Sequence, residues 1–118
     1  MPGTLSTHVL DTMHGSPAAG MTIELWSLNG DTRRLLASTQ TNTDGRTDQP
    51  LLPPQGLAAG TYELLFFVGD YFSAKKVALP KTPFLGVVPV RFGIADPDKN
   101  YHVPLLCSPW AYSTYRGS

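Results

Sequence analysis

Two histidines occur in short runs with the alternating pattern of a β-strand, and each falls opposite the core positions. In the run from Tyr101 to Cys107 the odd-numbered residues read as the core face, which places His102 on the outer face. His8 shows the same alternation in its own run. Two imidazoles on one face could act as a general base and its partner, since their ordinary pKa of about 6.5 lies near working pH. Whether the two strands are neighbours stays open, and an ordinary surface histidine is the alternative for each.

Arg46 is a candidate for binding negative charge. It follows the turn Thr43-Asp44-Gly45, from which a long side chain can reach over a groove. Its guanidinium presents a planar fork of donors that suits carbonyl or enolate oxygens. The alternative is a solvated hairpin residue.

The chain ends on Tyr115-Arg116-Gly117-Ser118, directly after a strand-like run. These residues offer an aromatic ring, a cation, a glycine and a hydroxyl beside the terminal carboxylate, each able to hold a polar, planar ligand. Arg116 would either contact such a ligand or fix the tail through a salt bridge. A frayed, solvated tail is the alternative, because terminal residues are usually unconstrained.

Other kinds of chemistry find little support. His14 lies in a predicted turn and is expected to be exposed and non-catalytic, while Cys107 falls on the core face and is expected to be a buried thiol. Ligand spacing typical of a metal site, a phosphate-binding glycine loop and a nucleophile elbow at Ser113 or Ser118 are all missing from the sequence. We therefore expect no cofactor and no metal.

Length and charge narrow the class of protein. A chain of 118 residues predicts a single domain over residues 1–118, long enough for its own core. Nine basic and nine acidic residues give no net charge, which argues against a nucleic-acid partner. The first residues have neither a basic region nor an apolar run, so we expect no signal peptide, and no run is apolar enough to predict a membrane span. A single cysteine excludes an intrachain disulfide, and we expect a cytoplasmic protein.

The elements that would position these residues are mostly strands. Eleven glycines and eleven prolines punctuate short apolar runs, which favours an all-β domain with many turns. The sequence predicts a central strand over Tyr62 to Val68, a strand with an edge or bulge at Pro89, and a helix from Asp70, as its N-cap, to Val77. The other predicted strands are Leu5 to Leu10, Met21 to Leu25, Arg34 to Thr41, Val88 to Ile94, Tyr101 to Cys107 and Tyr112 to Tyr115. Together they indicate a two-sheet sandwich.

The chain resembles the 5-hydroxyisourate hydrolases, also called transthyretin-related proteins, in segments that span nearly its whole length. The terminal tetrapeptide separates the enzymes of that family from transthyretin, the hormone carrier of the same fold. The resembling segments are Leu5-Ser6-Thr7-His8-Val9-Leu10-Asp11, Gly15 with Pro17-Ala18, Thr43-Asp44-Gly45-Arg46, Gly69-Asp70-Tyr71-Phe72, Tyr101-His102-Val103-Pro104-Leu105-Leu106, and Tyr112-Ser113-Thr114-Tyr115-Arg116-Gly117-Ser118.

This resemblance implies a transthyretin-like β-sandwich with one short helix and a cofactor-free hydrolase of urate degradation. The enzyme would open the six-membered ring of 5-hydroxyisourate at an amide bond to give a ureido-imidazoline carboxylate. The two histidine strands would be adjacent. The implied catalytic residues are His8, Arg46, His102 and Ser118, and the implied substrate-binding residues are His8, Arg46, Tyr115, Arg116 and Gly117.

The resemblance also implies a homotetramer with active sites in the channel between dimers. Leu10, Pro104 and Leu106 fall on the same outer faces as the histidines, an apolar surface that a partner is expected to cover. Two other functions stay open: a transthyretin-like carrier of small aromatic ligands, and a purely structural interaction domain whose histidines are incidental.

Overall fold

The computed structural model describes residues 2–53 and 55–118, which form ten strands and one helix. In chain order the elements are β1 (Leu5–Ser6), β2 (Val9–Asp11), β3 (Ser16–Pro17), β4 (Thr22–Asn29), β5 (Thr32–Gln40), β6 (Gly60–Phe66), α1 (Val68–Ala74), β7 (Val88–Ile94), β8 (Tyr101–His102), β9 (Leu105–Cys107) and β10 (Tyr112–Thr114).

Two four-stranded sheets make up most of the structure. One has the order β10-β9-β2-β3 and the other β5-β4-β6-β7, while β1 and β8 form a separate two-stranded pair. Their inward residues and those of α1 belong to one core cluster, in which Phe66 of β6 and Phe72 of α1 are the largest fully buried side chains. The predicted all-β sandwich with one short helix is confirmed.

One parallel ladder joins the first strands of the chain to the last ones. Leu5 lies beside Tyr101 in the pair β1–β8, and Val9 lies beside Leu105 in β2–β9, so the register is the same in both. The two pairs are separated by a short gap, but backbone hydrogen bonds continue across it, since the amide of Leu105 donates to the carbonyl of His8 at 2.9 Å. Two of the predicted strands, Leu5 to Leu10 and Tyr101 to Cys107, are therefore each present as two short pieces of one ladder. Pro104, which was predicted to be solvent-exposed in the single chain until a partner covered it, is instead already buried within the single chain.

The second sheet agrees with two detailed predictions. β6 lies between β4 and β7, as expected for a strand that is apolar on both faces. β7 is an edge strand with no neighbour among the described strands on its outer side, so the amide proton that Pro89 lacks is not needed there for a hydrogen bond to another strand.

The helix begins earlier and ends earlier than predicted. It spans Val68–Ala74, with Phe67 at the N-cap position and no side-chain cap bond. The prediction of Asp70 as N-cap was wrong: Asp70 lies in the first helical turn, where its charge still suits the helix dipole. Lys76 adopts a positive φ of 64° after the last turn, which ends the helix before Val77. No helix in the described residues is both long and apolar enough to cross a membrane.

A buried carboxylate ties this helix to the first sheet. Asp11 accepts hydrogen bonds from the Tyr71 hydroxyl at 2.8 Å and from the backbone amide of His14 at 2.9 Å. The His14 ring, although exposed as predicted, has its Nδ1 only 2.6 Å from the same carboxylate. Burial acts to raise the pKa of Asp11, but these bonds outweigh it and the pKa is lowered. Cys107 is fully buried nearby, as predicted, and burial raises the pKa of its thiol to about 12.

Candidate functional site

The two outer-face histidines lie on neighbouring strands of the parallel ladder. Ser6 is paired with His102 across β1 and β8, and the unchanged register puts His8 two residues farther along the same face. Both rings are half-buried, while Thr7 and Val103, on the opposite face, are buried. The alternation predicted for both strands is confirmed, and so is the adjacency implied by the resemblance.

A tight turn at residues 42–46 brings Arg46 to this face. The side-chain oxygen of Asn42 accepts the backbone amides of Asp44 at 2.9 Å and Arg46 at 3.1 Å, which closes the turn. Gly45 has a φ of 75°, and a Cβ there would lie 2.3 Å from the carbonyl oxygen of Val9. Only glycine permits this close approach, in which the amide of Val9 donates to the Gly45 carbonyl at 2.8 Å. The turn is thereby fixed against β2, next to His8.

His8 is bonded directly to that turn. Its Nε2 lies 2.9 Å from the carbonyl oxygen of Asp44. Because a carbonyl can only accept, His8 carries a proton on Nε2, and its neutral ring has the lone pair on Nδ1. His8 therefore holds the loop that carries Arg46 as well as facing the site.

The guanidinium of Arg46 is exposed and, within residues 2–53 and 55–118, has no hydrogen-bond or ion-pair partner. It borders a groove of about 190 Å³. The residues lining this groove are Ser6, Thr7, Arg46, Thr47, Asp48, Gln49 and Pro50. Neither histidine lines this groove, although Ser6, the partner of His102, does. The guanidinium of Arg46 at its rim is available for an anionic or carbonyl group.

His102 is kept neutral by its surroundings. Burial lowers the pKa of its imidazole below the ordinary 6.5, and the positive charge of Arg46, together with that of His8 when His8 is protonated, lowers it further. Its Nδ1 lies 2.9 Å from the hydroxyl oxygen of Ser6. A neutral, anchored imidazole at pH 7 can accept a proton.

The end of the chain returns to this histidine. Gly117 forms a β-bridge with His102, and its amide donates to the His102 carbonyl at 2.8 Å. A Cβ on Gly117 would lie 2.4 Å from Cδ2 of the imidazole, so the glycine is in direct contact with the ring. Ser118 follows at once and is exposed.

The other two tail residues lie away from the histidine pair. The guanidinium of Arg116 stacks over the Tyr101 ring at 4.4 Å and reaches the Asn100 carbonyl at 3.4 Å. Tyr115, which is 60% exposed, and Arg116 border a cleft of about 280 Å³. Neither histidine of the pair lines this cleft, and Arg46 does not line it either. The salt bridge predicted for Arg116 is not among the ion pairs of the described residues, and Arg116 contacts the neighbouring strand by stacking on an aromatic ring instead. Contact of Tyr115 and Arg116 with a ligand stays a prediction.

Sequence reasoning missed Ser6 as a member of this site. The available signal was its position two residues before His8, on the same strand face. It could be recognised only with the pairing partner known, because the contact with His102 lies across the ladder. Two apolar residues, Leu10 and Leu106, are also paired on this face and stay half-exposed in the single chain.

Comparison with known proteins places the site in a family context. Residues 5–117 match the family described as Transthyretin: HIUase/Transthyretin family. A 5-hydroxyisourate hydrolase 2 from Rhizobium meliloti (strain 1021) is 59% identical over 116 residues, which cover 98% of this chain and 97% of that protein.

Two solved structures extend the comparison. That of Klebsiella pneumoniae 5-hydroxyisourate hydrolase is 34% identical, with a TM-score of 0.82 and coverage of 98% of this chain and 99% of that one. That of (S)-allantoin synthase is 47% identical with a TM-score of 0.93, and it matches 99% of this chain but only 44% of its own length. This chain therefore spans less than half of that second protein.

Proposed function

Because the chain belongs to the HIUase/Transthyretin family, matched over residues 5–117, we infer that it is an enzyme, a 5-hydroxyisourate hydrolase. It hydrolyses 5-hydroxyisourate, the unstable product of urate oxidation, and opens the six-membered ring at an amide bond. The product is a ureido-imidazoline carboxylate, and residues 1–118 act as one catalytic domain. The 5-hydroxyisourate hydrolase 2 of Rhizobium meliloti is 59% identical to this chain over nearly its full length.

One observation carries this function beyond the family match. His102, kept neutral, lies on the same face as His8, close enough to the cation of Arg46 for that charge to lower its pKa, and in contact with the last residues of the chain. A hormone carrier needs an apolar pocket, but it needs neither a neutral imidazole nor a cation beside it. This constellation therefore favours hydrolysis over the carrier function.

The reaction needs only water. We propose that His102 takes a proton from a water molecule whose oxygen bonds to the ring carbonyl carbon. The carbon–nitrogen bond of the amide then breaks, and the nitrogen receives a proton. His8, whose Nε2–H is bonded to Asp44, cooperates by orienting the water from Nδ1 and by holding the Arg46 turn.

The remaining predicted residues bind and stabilise. Arg46 stabilises the negative charge that develops on the attacked carbonyl oxygen. Gly117 packs against the base and brings Ser118 to the site, while Tyr115 and Arg116 hold the planar substrate in the assembled enzyme.

A direct assay tests the function. The protein is added to freshly made 5-hydroxyisourate, and the spontaneous decay is subtracted from the observed rate. We expect rapid, saturable loss of the substrate. Tight binding of small aromatic ligands without acceleration would instead support the carrier function, and neither activity would support an interaction domain.

Arg46→Lys is expected to stay strongly impaired in turnover, by about 10²-fold, because lysine keeps the charge but loses the planar fork of donors. Steady-state kinetics measure this. Arg34→Lys is the matched control, since Arg34 is an exposed arginine of β5 outside the groove. Full activity of Arg46→Lys would show that a positive potential is sufficient.

The pH dependence of turnover should follow the neutral form of His102. Its pKa lies below 6.5, chiefly through burial, and a base works only when deprotonated. Turnover is therefore expected to approach its maximum above pH 6.5 and to be lost as the pH falls through the lowered pKa of His102. In Arg46→Met the removed positive charge should move this acid limb to higher pH. A wild-type limb above 6.5 would contradict the assignment of His102.

We propose a homotetramer with sites shared between dimers. Leu10 and Leu106, paired on the face of the histidines and half-exposed, would be covered by a second copy. Sedimentation is expected to give about four times the chain mass of 12.8 kDa. Leu106→Asp should dissociate the assembly, and a fully active monomer at micromolar concentration would remove the shared-site arrangement. The cytoplasmic location predicted from the sequence stays a prediction.

A further inference from the structure

Ser6 is the only side chain, among the residues that the structure describes, that is hydrogen-bonded to the ring of His102. The hydroxyl oxygen lies 2.9 Å from Nδ1. The contact is fixed by the backbone, because the two residues are direct partners in the parallel pair of β1 and β8. The amides of Tyr101 and Val103 donate to the carbonyls of Thr4 and Ser6, at 2.8 and 2.9 Å, so the register holds on both sides of the contact.

The opposite edge of the ring faces the end of the chain. Gly117 packs against Cδ2, the carbon next to Nε2, and Ser118 follows it. Nδ1 is therefore tied to the neighbouring strand, while Nε2 is the nitrogen on the side of the tail. Because Nδ1 is bonded to Ser6, Nε2 is the ring nitrogen that is left to meet a substrate.

A serine hydroxyl can either accept a hydrogen bond from Nδ1–H or donate one to the Nδ1 lone pair. The two directions have opposite consequences for a base. If Nδ1 carries the proton, the lone pair is on Nε2. If the hydroxyl donates, Nε2 carries the proton and the neutral ring has no free lone pair for the substrate.

We propose that Ser6 is a positioning residue for the reaction: it accepts the Nδ1–H of His102, fixes the ring in the tautomer with its lone pair on Nε2, and aims that nitrogen at the substrate. This rests on the proposed function. The hydroxyl proton of Ser6 is then free to point into the groove that Ser6 shares with Arg46. Two other groups act on the ring, Arg46 and His8. Arg46 has no acceptor atom, and among the described residues no hydrogen bond joins the His8 ring to the His102 ring, so neither takes the place of Ser6.

The tautomer can be measured without substrate. Long-range proton–nitrogen NMR spectra of the ¹⁵N-labelled protein distinguish a protonated from an unprotonated ring nitrogen, and His102→Asn identifies the signals. In the wild type we expect a protonated Nδ1 and an unprotonated Nε2. Ser6→Ala should move the ring toward the other tautomer or a mixture, and Ser6→Thr, which keeps the hydroxyl, should restore the wild-type pattern.

Thr4→Ala is the matched control. Thr4 has the same outer orientation two residues earlier in the chain, and its hydroxyl bonds to Asn100 at 3.3 Å and not to the histidine. It should leave the His102 signals and the turnover unchanged. A wild-type tautomer in Ser6→Ala, or an Nε2–H in the wild type, would overturn the proposal.

Kinetics then test whether the contact matters for the reaction. Ser6→Ala should lower kcat by about 10- to 100-fold, the range seen when the hydrogen-bond partner that orients a metal-ligating histidine is removed, with little change in KM. In a His102→Asn background Ser6→Ala should cause no further loss, because the serine acts only through the ring. An additional loss there, or a wild-type kcat in Ser6→Ala, would refute the positioning role. A failure of the proposed function would appear differently, as no acceleration of 5-hydroxyisourate loss by the wild-type protein, while the NMR result would still stand.

Discussion

His102→Asn is expected to lower the turnover of 5-hydroxyisourate by about 10²- to 10⁴-fold, the usual range for loss of a general base. Asparagine keeps a polar side chain beside Ser6 but has no basic nitrogen. The fold should survive, because His102 lies on the outer face and its strand pairing with Ser6 uses backbone groups. Turnover at saturating substrate, corrected for spontaneous decay, together with a thermal unfolding curve, measures both effects.

Two other histidine variants make this result interpretable. His8→Asn should also remove most of the activity, because His8 faces the site and holds the Arg46 turn through Asp44. His14→Asn is the matched control: its ring bonds to Asp11 and stacks near Phe72, away from the site, so stability can change while turnover should not. Near-wild-type turnover of His102→Asn would contradict its assignment as the base.

Local patterns in the sequence were sufficient for most of the fold. Alternation assigned the faces of His8 and His102 correctly, because the two-residue period of a strand is a local property. Pro89 predicted an edge strand for the same kind of reason, since it lacks an amide proton. The helix start was missed because Asp70 has the chemistry of an N-cap residue. The helix instead begins at Val68, directly after a buried strand, and its N-cap residue Phe67 forms no side-chain cap bond.

What the sequence could not supply was pairing between distant segments. Ser6 and His102 meet because residues at the two ends of the chain share one parallel register, and alternation within either strand does not encode that register. The placement of Arg116 over Tyr101 is of the same kind. Its two predicted roles were equally compatible with the sequence, and only the path of the tail across β8 puts the guanidinium on that ring.

Because the tail crosses β8 and contacts His102, its deletion is expected to have the second large effect on turnover. Deleting Arg116, Gly117 and Ser118 is expected to lower turnover by about 10²-fold or more, because small displacements of catalytic groups cost that much. Stability should fall only modestly. The deletion removes one backbone hydrogen bond to His102, worth about 1 kcal/mol, and one exposed cation–π contact, worth about 0.5–1 kcal/mol. It also removes the long, exposed hydrogen bond of Arg116 to the Asn100 carbonyl.

A single methyl group tests the same contact more sharply. In Gly117→Ala the new Cβ would lie 2.4 Å from the imidazole of His102, so either the ring or the tail must move. We expect a large loss of kcat with little loss of stability. Gly86→Ala is the matched control, since a Cβ there meets no atom within 4 Å.

The terminal group itself can be separated from the rest of the tail. A C-terminal tag removes no residue but converts the carboxylate of Ser118 to an amide and adds bulk, so it should inhibit, whereas an N-terminal tag should not. Ser118→Ala keeps the carboxylate and removes only the hydroxyl, which identifies the group that acts. If the truncated and the C-tagged proteins both hydrolyse 5-hydroxyisourate at the full rate, the contact of Gly117 with His102 is structural only. The base would then have to work without the tail, and the distinction between this chain and a carrier of the same fold would depend on the histidines and Arg46 alone.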